Sequence, residues 1–150
     1  MKSTVNYSSL QSGSWYMSIE GLEDVVFKLK NFYIPSIELP EMKLGGTGDW
    51  HVKLPGTRLD FGNVQFEFSV DSDFKNYRTL FEWIKRSVTK PEFKKVTVFI
   101  LDGEKKLQNV TIEYYEVQAV RLTPILLDAQ NSITEVHCSL DVAYQYFDFV

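Results

Sequence analysis

Residues 63–91 read NVQFEFSVDSDFKNYRTLFEWIKRSVTKP, and two periodicities meet inside them. In the first part Val64, Phe66, Phe68 and Val70 alternate with Gln65, Glu67 and Ser69, the period-two signature of a strand with one buried face. The second part switches to a helical period. Phe74, Tyr77, Phe81, Ile84 and Val88 fall on one stripe, which Leu80 widens, so these side chains are expected to pack the helix onto a sheet. Asp71, Ser72 and Asp73 supply N-cap residues, Lys85, Arg86 and Lys90 crowd the C-terminal end, and Pro91 stops the helix.

Outward from this unit the chain is strands. Val25, Phe27 and Leu29 alternate with Val26, Lys28 and Lys30 over residues 24–32, and residues 34–39 read as a second strand broken by Pro35 and closed by Pro40. Residues 57–61 read as a short strand. Residues 95–101 and 107–117 are β-branched and aromatic and are joined through Asp102-Gly103, a strong hairpin signal. Residues 118–127 are a weaker strand, limited by Pro124 to an edge or a bulge. The longest alternation runs from Ile133 to Tyr146 and would reach about 46 Å at ~3.3 Å per residue. A strand that long extends beyond its own domain's core.

Two stretches break the pattern. Residues 1–21, rich in Ser, Asn and Gly, read as an arm or capping segment before a domain spanning 22–150. Residues 40–55 contain Gly45, Gly46, Gly48 and Trp50 and show neither period, so a long exposed loop is expected there. Loops of that length inside a domain tend to be functional.

Composition bounds the function. The chain has 150 residues, enough for one domain with a full core, and 44% of them are hydrophobic. Lys and Arg number 16 against 20 Asp and Glu, a net charge of −4, which argues against a protein that grips nucleic-acid phosphates. No apolar run is long enough to span a bilayer, the N-terminus lacks the apolar segment of a secretory signal, and no membrane anchor is expected. The single cysteine, Cys138, falls on the apolar face of its strand and reads as an inert core thiol. The aromatic share is high, at 15%, and favours strands and interfaces.

Chemistry is sparse. His137 and Cys138 are strand neighbours facing opposite ways, and His51 has no second ligand at a recognisable spacing, so no metal or other cofactor is expected. Asp71-x-Asp73 lacks the glycine and terminal glutamate of a calcium loop. Residues 45–48 lack the Lys and Ser/Thr of a phosphate loop. No catalytic residue emerges and the chain does not read as an enzyme. Alternating strands with long polar faces, and aromatics such as Tyr144, Tyr146, Phe147 and Phe149 near the end, fit strands from several copies joining into a larger sheet. An ordinary monomeric β-sandwich that binds a ligand is the alternative.

The order of elements is itself recognisable. Leu54-Pro55-Gly56-x-x-Leu59-x-Phe61, then Val64-x-Phe66-x-Phe68-x-Val70-Asp71-x-Asp73-Phe74-x-Asn76-Tyr77, then Leu80-Phe81-x-Trp83-Ile84 resembles the strand–helix signature of the tail tube proteins of contractile-tailed phages. Residues 119–131, with Pro124, are similar to that family's connection before its closing strand. The resemblance implies a mainly β subunit, barrel or sandwich, with one flanking α-helix, its sheet completed in a hexameric ring. It implies stacked rings, partners in sheath, baseplate or tail terminator, and DNA that passes the lumen without specific binding. The location would be the virion tail, assembled in the bacterial host cytoplasm. The related tube of type VI secretion shares the fold, and tube-like baseplate and tail-end proteins carry it too. On this resemblance the ring-stacking loop would contain Gly45, Gly46, Gly48 and Trp50. The lumen would be lined by the polar faces Gln65, Glu67, Ser69 and Glu135, His137, Ser139, Asp141.

Overall fold

The computed structural model describes residues 14–44, 52–55, 59–101, 110–130 and 135–150. Seven of its strands form one antiparallel sheet: β1 (Ser14–Ile19), β2 (Phe27–Phe32), β7 (Val64–Ser69), β8 (Lys94–Leu101), β9 (Val110–Leu122), β10 (His137–Ala143) and β11 (Tyr146–Phe149). The order β10-β7-β2-β1-β8-β9 closes on itself through β9–β10 pairing, making a six-stranded barrel, and β11 adds to β9 outside that circuit. Closure removes the edges of those six strands.

Closure depends on β9, which pairs with β8 through Val117 and with β10 from Gln118 on. Two bulges bend it. The first lies opposite the Lys94–Val96 step, where Tyr115 and Glu116 occupy the space of one partner residue and Glu116 takes a left-handed φ of 53°. At the second, Asp141 pairs with Arg121 and Val142 with Ala119, which leaves Val120 unpaired. Residues 110–122 are therefore one bent strand, where the alternation suggested a strand to 117 and a weaker one after it.

The alternating residues fill the barrel. Met17, Ile19, Phe27, Leu29, Val64, Phe66, Phe68, Val96, Val98, Ile112, Tyr114 and Leu140 are buried. Phe27 meets Phe68 edge to face at 5.5 Å between ring centroids, and Phe66 meets Tyr114 in the same way at 5.5 Å. Among the described residues the Tyr114 hydroxyl has no hydrogen-bond partner, and burial pushes its phenol well above the ordinary range.

The described residues open on β1, which precedes the expected start near Leu22. The segment SWYMSI alternates Trp15, Met17 and Ile19 inward, and it sits between β2 and β8. Residues 40–55 are not an irregular loop throughout: β4 (Glu41–Leu44) pairs with β5 (Val52–Pro55), Glu41 opposite Pro55 and Leu44 opposite Val52. Between β2 and β7 a second small sheet pairs β3 (Ile37–Glu38) with β6 (Asp60–Phe61). Phe61 of this sheet lies against Phe147 at 5.3 Å, tying it to the C-terminal segment.

The helix α1 (Lys75–Ser87) links β7 to β8 and packs on β9. Its buried residues are Asn76, Leu80 and Trp83, with Tyr77 and Ile84 partly buried beside them. The expected packing stripe is corrected here: Phe81 is 49% exposed and Val88 85% exposed. The apolar arc of α1 is wider than the barrel surface under it, and the barrel covers the side centred on Leu80. Phe74, at the N-cap with a left-handed φ of 59°, is half-buried and meets Tyr77 edge to face at 6.1 Å. The expected Asp71–Asp73 cap is realised only in part, with Asp73 Oδ1 accepting the Lys75 N–H at 3.1 Å.

Candidate functional site: a polar flank of the barrel

Because β7 and β10 are neighbours, the polar positions of both strands share the barrel's outer surface. His137 lies opposite Ser69, Ser139 opposite Glu67 and Asp141 opposite Gln65. The inward residues of the same ladder, Phe68 with Cys138, Phe66 with Leu140 and Val64 with Val142, are buried. Two alternating strands in matched register thus give a buried face and a polar face with no further device.

The polar face is cross-linked. Gln65 Nε2 donates to Asp141 Oδ1 at 2.6 Å. Ser69 Oγ donates to Glu135 Oε1 at 2.7 Å, and Lys30 Nζ reaches Glu135 Oε2 at 2.6 Å. Lys30 was not among the expected site residues. It arrives because the β2–β7 register shifts between Leu29 and Asn31, so that Lys30 is the extra residue of the step. A hollow of about 430 Å³ beside Gln65 and Asp141 is lined also by Asn63, Val120 and Ala143.

The Lys30 and Ser69 hydrogen bonds hold the Glu135 carboxyl down at about 2, against an ordinary 4.5. A depressed carboxylate stabilises the fold fully above its unfolded value, and that contribution is lost as pH falls from about 4.5 towards 2. Glu135→Gln is therefore expected to flatten the acid limb of the stability–pH curve in that window while leaving its neutral limb parallel to the wild type. Urea melts at stepped pH check this, and an unchanged acid limb would remove Glu135 from the knot.

Of the other expected site residues, Gly45, Gly46, Gly48 and Trp50 lie outside the described residues, between β4 and β5. Among the described residues no group of three His, Cys, Asp or Glu side chains could hold a metal ion. Cys138 is buried, and burial pushes its thiol up.

No family model and no curated protein sequence matches the chain. Solved structures do match. A chain of an extracellular contractile injection system, from the PVC sheath/tube terminator in the extended state, superposes with a TM-score of 0.73 at 16% identity, over 98% of this chain and 99% of that one. The chain has the tail-tube fold. A chain of the PVC sheath–tube complex in the extended state gives a TM-score of 0.72 at 15% identity, covering 96% of this chain and 93% of that one. Hcp1 from Flavobacterium johnsoniae gives 0.58 at 14% identity, covering 91% and 94%. The tail-tube fold thus accounts for the closed barrel and the helix α1 together, nearly end to end. Among the described residues no helix is long and apolar enough to cross a membrane.

Proposed function

We propose that this chain is a structural subunit of a contractile tail's tube, closing with five further copies into a ring that stacks with others as the major tube subunit or as an initiator or terminator ring. The observation that carries the reading is the match, over almost the whole length of both partners, to chains from a sheath–tube complex and from a tube terminator. In this reading the partners are copies of itself, the sheath, and a baseplate or terminator protein. The particle would be a virion tail assembled in the bacterial cytoplasm.

The β7–β10 flank is proposed as the wall of the lumen. It offers carboxylates at Glu67 and Asp141, and its lysine, Lys30, is already held by Glu135. Neither β7 nor β10 carries a Lys or Arg, and Arg121 of β9 lies opposite Asp141, so DNA would pass this wall without being gripped. The ring-stacking role of the segment with Gly45, Gly46, Gly48 and Trp50 is proposed on the family resemblance.

Negative-stain microscopy of the concentrated protein is expected to show sixfold rings or tubes. Ser139→Cys, labelled with a maleimide-linked gold cluster, is expected to place the label on the inner wall. Strictly monomeric particles at every concentration would overturn the ring, and label on the outer wall would overturn the lumen assignment alone.

A further inference from the structure

The outer surface of β8, β9 and β11 carries a pattern the barrel does not need. Register places Thr97, Glu113 and Asp148 in one row, and Tyr115 beside Tyr146 in the next. A third row joins Phe99 to Thr111, and Val150 extends it by donating its N–H to the Thr111 carbonyl at 3.0 Å. The rows are acidic, aromatic and apolar in turn.

The acidic row is unfavourable as it stands. Like charges directly opposite each other on paired antiparallel strands repel. Among the described residues Glu113 pairs with Lys95 Nζ at 3.6 Å, and it accepts the Tyr115 hydroxyl at 2.5 Å. Asp148 accepts the N–H of Phe149 at 2.8 Å and has no ion pair among the described residues. Tyr115 and Tyr146 stack at 4.6 Å with 18° between their planes, and Tyr146 and Val150 are exposed. No further strand pairs with β11 among the described residues.

The complementary chemistry is on the same chain. At the C-terminal end of α1, Arg86 pairs with Glu92 at 3.1 Å and Lys94 with the same carboxylate at 3.8 Å. Lys85 and Lys90 have no ion pair among the described residues, and the exposed Val88 lies between them. Lys85 and Val88, three apart on the helix, share one side of it.

We propose that the outer face of β9–β11 docks the C-terminal end of α1 from a second copy, with Lys85 and Lys90 answering Glu113 and Asp148 and Val88 lying on the Tyr115–Tyr146 stack. Charge complementarity selects this occupant: an acidic aromatic face meets a basic apolar helix end. Two different patches joined head to tail make a heterologous contact, which closes a ring or propagates a fibre. The proposal rests on the reading of the chain as a ring subunit and names the surfaces that join neighbours.

Sedimentation velocity on the full chain tests it with Asp148→Lys and with Lys85→Glu/Lys90→Glu. Each variant is expected to weaken self-association by about tenfold or more. An equimolar mixture is expected to regain a large part of the lost association, because alternating copies turn the contact at position 148 back into an opposite-charge pair while Glu113 still meets one glutamate. The melting temperature of Asp148→Lys is expected to equal or exceed that of the wild type, since a repulsion is removed. Wild-type rings that persist unchanged in both variants, or a mixture that stays dissociated, would overturn this interface and leave the tube reading standing. A wild type that never associates would overturn both.

Discussion

Replacing Trp83 by alanine is expected to lower the unfolding free energy by about 3–5 kcal/mol, read as a lower urea midpoint at an unchanged slope. Trp83 is fully buried on the side of α1 that faces the barrel, and its indole N–H donates to the Glu92 carbonyl at 3.1 Å. A closed ladder of paired strands cannot collapse into the space left behind, so the cavity cost adds to the lost burial. Trp83→Phe keeps most of the apolar area and loses the hydrogen bond, for about 1 kcal/mol from that bond. Phe81→Ala is the control on the helix face, because Phe81 is 49% exposed and should cost well under the Trp83 value. Equal losses at Trp83 and Phe81 would mean that α1 is turned the other way.

That control matters because the helix was legible in the sequence and its face was not. The stripe through Phe74, Tyr77, Phe81, Ile84 and Val88 is a true apolar line, yet the buried line runs through Asn76, Leu80 and Trp83. A polar Asn on the buried side hides that side from any count of apolar residues. The strands fared differently. In β2 and β7 the period-two alternation named the buried set correctly, Phe27 and Leu29 with Val64, Phe66 and Phe68. The β1 alternation of Trp15, Met17 and Ile19 was present but obscured by the Ser- and Gly-rich residues before it. The pairing of β4 with β5 is obscured in the same way by Gly45, Gly46 and Gly48, which interrupt the alternation between EMKL and VKLP. Barrel closure had no local signal at all, since it depends on the bulges at Glu116 and Val120. For the polar flank, alternation supplied the residues on each strand. The joining of the two sets was a long-range fact of pairing, and Lys30 came through a register shift that no motif marks.

Asn76→Ala is expected to cost about 3 kcal/mol, a large effect for deleting a small polar side chain. Asn76 is 1% exposed, and its amide serves three backbone groups. Oδ1 accepts the N–H of Asp71 at 3.1 Å and of Tyr77 at 2.8 Å, while Nδ2 donates to the Ser69 carbonyl at 2.7 Å. Alanine leaves these groups without partners at a part-buried site, and each lost partner costs roughly 1–3 kcal/mol before water or backbone relaxation offsets it. The effect should reach the polar flank, because Ser69 is held by Asn76 through its carbonyl and holds Glu135 through its hydroxyl. Hydrogen exchange at the Asp71 and Tyr77 amides is expected to accelerate in Asn76→Ala beyond the change at Val98 in the middle of β8. Asn76→Asp separates the roles: it keeps the acceptor, loses the donor and buries a charge against the Ser69 carbonyl. Its folded-state carboxyl should titrate above its unfolded value, so the variant should regain stability as pH falls, with the protonated acid able to donate again. A cost under about 0.5 kcal/mol for Asn76→Ala would show that the turn between β7 and α1 is held by the left-handed Phe74 and the Asp73 cap instead.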